Sequence, residues 1–223
     1  MSKIIIFGGG ETALLAYEYF THDSEYTVSA FSLDRAYIED EEVCGLPVVD
    51  IDSITEKFPP DEFKAFVAVS STKLNRVRKQ LYERVEAMGY QLVSYISSRA
   101  FVWPNVKIGK NCFILEDNTL QPFTEVGDNV VLWSGNHIGH RTVIEDHCFI
   151  ASHCVISGFC RIGESSFLGV NCTLEHEVTI GADGFIGAGA LVRKDTELKA
   201  FYQESPTEKA KIDTHRLFRI VES

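Results

Sequence analysis

The sequence predicts two domains of different kinds. Residues 1–97 read as a half-size Rossmann-like α/β domain, and residues 98–198 as a left-handed parallel β-helix of hexapeptide repeats. Residues 199–223 are expected to form a tail with a short helix. Two observations carry this division. From Val102 to Val192 an aliphatic residue falls at every sixth position without a slip. Before that stretch, short apolar runs alternate with helical patterns. The first is the mark of stacked triangular coils. The second is the mark of a parallel sheet with crossover helices.

Lys3–Phe7 reads as a buried strand, cut short by Gly8-Gly9-Gly10. So short an apolar run fits a strand better than a signal peptide, which makes the cytoplasm the expected location. Glu11–Phe20 has helical periodicity through Leu14, Leu15 and Tyr19. Thr27–Leu33 is a second strand, followed by Asp34, and Phe66–Val69 is a third. Thr72 is the expected N-cap of a helix running through Met88, with Leu74, Val77, Leu81 and Val85 on one face and Gly89 as its stop. Leu92–Ile96 is expected as a fourth strand.

In the repeat, three hexapeptides make one coil, so residues 18 apart stack at about 4.8 Å per coil. The residue after the aliphatic is often Gly, as at Gly109, Gly139 and Gly163. The fifth place takes small side chains. Cys112, Cys148, Cys154, Cys160 and Cys172 all stand there, and only Cys44 lies outside the repeat. These thiols read as buried packing residues, reduced in a cytosolic protein. Cys148, Cys154 and Cys160 fall on three different corners and cannot converge on a metal. Beyond the coils, Ser205-Pro206-Thr207-Glu208 is a capping box that predicts the short terminal helix.

The composition excludes some partners. A net charge of −11 argues against nucleic acid, whose phosphates need a basic face. No run of about 18 apolar residues exists, so no membrane span is expected.

Two motifs can carry chemistry. Gly8-x-Gly10-x-x-Ala13 follows a strand and opens a helix, where close backbone approach suits a phosphate. A tight turn that merely needs glycine would look the same. Gly9, Gly10 and Asp34 are the candidate nucleotide contacts, with Ser71 after the third strand. A domain this small lacks the second half of a dinucleotide fold, so a nucleotide carried on a sugar fits better than NAD. The second motif is Trp133-Ser134-Gly135-Asn136-His137-Ile138-Gly139-His140. His140 and His176 both hold the third place of their hexapeptides, two coils apart, which predicts outward rings on one corner separated by about 10 Å. Exposed corner histidines are often only solvated. The density of imidazole, amide and indole on this ridge points instead to a base that takes a proton from an amine or hydroxyl. Trp133, Asn136 and His137 are the candidate substrate contacts there.

With these residues the chain resembles the bacterial sugar acyltransferases, such as the sialic acid O-acetyltransferase and the bacillosamine-pathway N-acetyltransferase. The resemblance spans nearly the whole chain. Tyr95-Ile96-Ser97-Ser98-Arg99-Ala100-Phe101-Val102 is similar to the family's lead into the β-helix, and Val192-Arg193-Lys194-Asp195 to its exit. The resemblance implies an acetyl-CoA-dependent enzyme without a metal, acting on a nucleotide-linked amino sugar in surface polysaccharide or lipopolysaccharide biosynthesis. It implies a homotrimer with acetyl-CoA in the groove between adjacent β-helices. The family's catalytic base stands nine repeats before the exit, which selects His140 rather than His176. Gly158, one coil above His140, is the implied oxyanion donor, and Ala188 and Lys194 are expected with it at the cofactor. Three positions depart from the family. Arg141 stands where an acid usually follows the base, Phe149 where a second histidine meets the acetyl group, and Ser70-Ser71-Thr72 where Gly-Asp-Asn follows the third strand.

Two other functions fit parts of the sequence. A metalloenzyme of the γ-carbonic anhydrase kind also spaces two histidines two coils apart, but needs a third where Gly181 stands. A non-catalytic scaffold that binds a nucleotide would need no histidine ridge.

Overall fold

The structure is a computed structural model that describes residues 2–203 and 209–220. The first apolar run forms β1 (Ser2–Phe7), and the helix after the glycines is α1 (Glu11–His22). Strand β2 spans Tyr26–Leu33. A hairpin of β3 (Glu42–Val43) and β4 (Leu46–Asp50) follows, then the single turn α2 (Ile54–Lys57), β5 (Lys64–Val67) and α3 (Arg76–Ala87). The sheet order is β3-β4-β2-β1-β5, parallel except for the hairpin.

Three expectations change here. Leu92–Ile96 is not a strand of this sheet. Only Leu92 bridges Ala65, while Tyr95–Ile96 already belongs to the first coil of the β-helix. The fourth parallel strand is β4, whose Pro47 reads against a strand. Pro47 faces only Glu42 of the hairpin, and pairing with β2 begins at Val48, so the missing N–H costs no ladder bond. The third strand begins two residues before the expected Phe66 and ends at Val67.

The helix expected to start at Thr72 does not begin there. Its Oγ1 lies 2.9 Å from Ser70 Oγ, and three successive residues, Lys73, Leu74 and Asn75, turn left-handed at φ 51°, 50° and 65° before α3 begins. Fully buried Asn75 explains the detour. Its Nδ2 donates to the carbonyls of Ser165 and Ser166 at 3.0 and 3.3 Å, so the chain bends to plug an amide into the β-helix.

The repeat stacks as expected into three parallel sheets with the aliphatics inside. Residues 18 apart pair throughout, as in His137↔Val155 and Ile138↔Ile156. One face receives the N-terminal domain. Phe113, Val131 and Phe149 of this face share a core with Phe20, Phe66 and Tyr95. A second face carries Thr119, His137, Val155 and Thr173 outward, and the third carries Lys107, Glu125 and Arg161. The five repeat cysteines are buried and unbridged. Four of the thiols donate one coil upward, as Cys148 Sγ does to the Gly163 carbonyl at 3.2 Å, while Cys172 Sγ donates to Cys154 Sγ. Burial pushes the Cys112 and Cys148 thiols up to about 12. Cys154 and Cys172 stack with their sulfurs 3.5 Å apart.

Polar groups fix the two domains together. Asn111 pairs with the edge strand β5 as a strand would: its Oδ1 accepts from Val67 N at 2.7 Å and its Nδ2 donates to Val67 O at 3.1 Å. Arg78 of α3 is wholly buried and donates to the carbonyls of His147 and Cys148 at 2.8 and 3.1 Å. Burial holds its guanidinium down at about 10. The capping box at 205–208 lies outside the described residues, and a five-residue helix occurs later, at Thr214–Phe218.

Candidate active site

The third place of each hexapeptide points outward at a corner. One corner stacks Pro104, Pro122, His140, Gly158, His176 and Lys194, eighteen residues apart. Main-chain N–H groups at this place make no bond to another main-chain carbonyl among the described residues. At four of them a side chain bonds the group, as Asp146 Oδ1 accepts from Asp128 N at 2.7 Å. The N–H of His140 donates to Gln121 Oε1 at 2.9 Å. That of Gly158 has no acceptor among the described residues, so it remains available to a ligand.

Gln121 also fixes the imidazole. Its Oε1 lies 3.3 Å from His140 Nδ1. Because that oxygen already accepts a main-chain N–H, the amide cannot be reversed without facing donor to donor. Nδ1 is therefore assigned the proton, donating to Oε1, and Nε2 carries the free lone pair. This is the tautomer a general base needs. The side chain that does this is not apparent from the sequence. The relation recurs where Glu145 Oε2 accepts from Glu164 N at 2.9 Å, so a polar residue nineteen positions before a third place is the readable signal.

The two corner histidines are closer than one strand spacing per coil predicts. Their ring centroids are 6.4 Å apart, with Phe159 edge-on to both at 5.1 and 5.3 Å. The reason is Gly158 in the coil between them. A Cβ there would sit 2.7 Å from His140 Cε1, so the imidazole leans over the bare glycine. No third ligating side chain completes a metal set with this pair, and among the described residues no three His, Cys, Asp or Glu come together.

The remaining expected contacts separate into three places. Lys194 is exposed on the His140 corner, whereas Ala188 is exposed on another corner, stacked above Ser134 and Val170. Trp133 is half-buried on that second corner, packed 6.4 Å from Phe149, and His137 is half-buried on the face between the two corners. Phe149, where the family has its second histidine, faces the N-terminal domain instead of the ridge. Asn136 does not face a substrate. It occupies the fifth, inward place, where its Nδ2 donates to Trp133 O and its Oδ1 accepts from Cys154 N at 2.7 Å. The corner of Trp133 is tied to α1 by Glu116, which accepts from Ser134 Oγ at 2.7 Å and Tyr19 Oη at 2.8 Å. Burial and this hydrogen bond push the Tyr19 hydroxyl up to about 12.

The N-terminal domain has its own cavity, of about 460 Å³, lined by Gly9, Gly10, Phe31, Asp34, Tyr37 and Leu81 among others. Gly8 opens it. At φ +142° it has no room for a side chain, since a Cβ would lie 2.3 Å from the Ala68 carbonyl oxygen. Asp34 at the rim is held by Arg84, Nη1 to Oδ1 2.6 Å. Ser71, half-buried, anchors the left-handed turn by accepting from Asn75 N at 3.0 Å. One chain thus presents a nucleotide-sized cavity and, separately, an open corner bearing an oriented imidazole.

The sequence profile described as "Bacterial transferase hexapeptide (six repeats)" matches residues 123–158 and 159–194. Perosamine N-acetyltransferase from Caulobacter crescentus, solved as a histidine-to-asparagine variant with CoA and GDP-perosamine, is 26% identical. The match covers 93% of this chain and 96% of that one at a TM-score of 0.81. The chain is a hexapeptide-repeat acyltransferase. The acetyltransferase domain of PglB from Neisseria gonorrhoeae FA1090 is 25% identical to it, over 94% of this chain and 100% of that one, also at 0.81. WeeI from Acinetobacter baumannii AYE shares the acyltransferase's fold, at 19% identity over 90% and 96% of the two chains and a TM-score of 0.69. No curated protein sequence matches the chain. No helix among its described residues is long and apolar enough to cross a membrane.

Proposed function

We propose that the protein transfers an acetyl group from acetyl-CoA to an amine, or alternatively a hydroxyl, of a nucleotide-linked sugar, with His140 as general base. The observation that carries this reading is the pairing of an oriented Nε2 lone pair with the open N–H of Gly158 on one corner. Nε2 removes a proton as the acceptor attacks the thioester carbon. The Gly158 N–H stabilises the oxyanion of the tetrahedral intermediate. Collapse breaks the C–S bond, and the imidazolium returns its proton to the departing CoA thiolate. The Gly8–Gly10 turn and Asp34 hold the nucleotide.

The corner is open on one side, and the nucleotide cavity is elsewhere. A homotrimer resolves both features. The groove between two β-helices then holds acetyl-CoA along Gly158 and Lys194 of one chain, with Ala188 and Trp133 contributed from the neighbour's adjoining corner and His137 from the face beside it. The relatives bound to CoA, acetyl coenzyme A and GDP-perosamine support this substrate class. The setting that follows is cytoplasmic synthesis of surface glycans such as lipopolysaccharide.

The test is CoA release from acetyl-CoA by the purified protein with UDP-, GDP- and dTDP-linked amino sugars. One acceptor turned over well above the background hydrolysis supports the reading. Binding of acetyl-CoA without transfer to any acceptor of the panel would favour a scaffold instead.

A further inference from the structure

Four arginines lie in the β-helix, Arg99, Arg141, Arg161 and Arg193. Three of them meet carboxylates: Arg99 with Asp117, Arg161 with Glu145, and Arg193 with Glu175. Arg141 does not. Its Cζ lies 4.5 Å over the ring of Phe123 and 5.9 Å from that of Phe159, and among the described residues its guanidinium makes no ion pair or hydrogen bond.

The two phenylalanines are costly choices at these places. Both are about half exposed, and both sit in the left-handed conformation, at φ 64° and 60°. Each such residue costs roughly 1–2 kcal/mol that Gly avoids, and other coils use Asn or Asp at the same place, as at Asn111 and Asp117. What the aromatic pair supplies is a clamp. The two rings flank the guanidinium from the coils below and above, and its N–H groups have no partner among the described residues.

Phe159 also touches the His140 ring, so the clamped cation and the base flank one phenyl group. In the coils directly above and below, the corner positions Pro122, Phe123, Ser157, Gly158 and Phe159 carry no charge. The carboxylates two coils above, Glu175 and Glu177, lie against Arg193 and His176, which leaves the positive charge of Arg141 unpaired beside the base.

We infer that Arg141 binds the anionic group of the acceptor, a phosphate or carboxylate lying about one sugar ring from the atom that attacks. A planar guanidinium donates two parallel hydrogen bonds to either group, and the clamp has already ordered it. The inference rests on the proposed acetyl transfer at His140, and it makes Arg141 the residue that selects charged acceptors over neutral ones.

The experiment compares the wild-type enzyme with Arg141→Gln and Arg141→Lys on three acceptors: a nucleotide-linked amino sugar, the same amino sugar free, and an amino sugar bearing a carboxylate. Arg141→Gln is expected to lower kcat/KM about 10- to 100-fold for the acceptors whose anion it binds. The free neutral sugar and the KM for acetyl-CoA should change less than about twofold on that scale. Arg141→Lys should recover part of the loss. The acceptor that suffers tells phosphate from carboxylate. An equal loss on charged and neutral acceptors, no loss on any, or a change confined to acetyl-CoA or to oligomeric mass would overturn the inference. Calorimetric binding of the same acceptors reads the contact without turnover. Weaker binding of the anionic acceptors by Arg141→Gln, with no transfer even by the wild type, would keep the anion site and sink the acetyl-transfer reading.

Discussion

Gln121 and His140 are joined through one oxygen. Oε1 of the amide accepts the main-chain N–H of His140 at 2.9 Å and lies 3.3 Å from its Nδ1. A neutral side chain therefore holds the ring in a chain where Arg141 replaces the acid that usually follows the base in the family it resembles. Gln121→Glu puts a carboxylate at that oxygen and favours the protonated ring. The acid limb of the kcat/KM profile should then move up by about one pH unit. Gln121→Leu frees the ring and should lower turnover about tenfold or more. A pH profile unchanged in both variants would show that Gln121 plays no part in orienting the base.

Gly158 gives the base its room. A Cβ at this position would lie 2.7 Å from His140 Cε1 and 3.0 Å from Nδ1 and Nε2. Gly158→Ala should push the imidazole aside and lower kcat about 10²-fold, the usual effect of a displacement near 1 Å. The thermal midpoint should hardly change, because the ring is exposed and free to move outward. Full activity in this variant would mean that the ring does not occupy this position in the working enzyme.

His147 predicts a pH effect on stability. It is buried beneath α3, and its Nδ1 lies 2.9 Å from Asn129 Nδ2, which donates to the neutral ring. Burial first, and then the nearby Lys79, hold its pKa below the ordinary histidine value. The unfolded chain therefore takes up this proton before the folded one. Stability is unaffected by His147 above about pH 6.5 and falls as the pH drops below that value. Asp23 acts lower on the scale. Hydrogen bonds from Ser98 and Tyr95 hold it at about 2, so its contribution is present above the ordinary carboxylate value and is lost toward pH 2. Urea midpoints at pH 7 and pH 5 check the first effect. They should fall on acidification in the wild type and fall less in His147→Gln. An equal fall in both would assign the acid sensitivity to other groups.

The sixfold period makes the β-helix legible because it reports burial directly. Ile138, Ile144 and Ile150 have no freedom to face anywhere but inward. The same counting corrects Asn136, whose fifth place is inward by the rule that buries Cys154. It resembles a ligand only because polar residues on a dense ridge look alike in one dimension. The start of α3 is not legible. What decides it is the plug of Asn75 into carbonyls 90 and 91 residues away, and nothing local marks such a contact. At the site, the choice of His140 follows from the period and the family resemblance, and its corner position from the period alone. The separation from His176 does not, because stacking arithmetic places backbones while the bare Gly158 lets the rings lean together.

The central claim is that His140 is the base, and a paired substitution tests it most directly. Acetyl transfer is measured for His140→Asn and for His176→Asn, the second being the same place in the repeat two coils away. Loss of the base should lower kcat by about 10²–10⁴-fold while acetyl-CoA still binds, whereas His176→Asn should lose less than about tenfold. Near-normal transfer by His140→Asn would contradict the mechanism, and equal inactivity of both variants with loss of a bound metal would replace it with metal chemistry at the histidine pair.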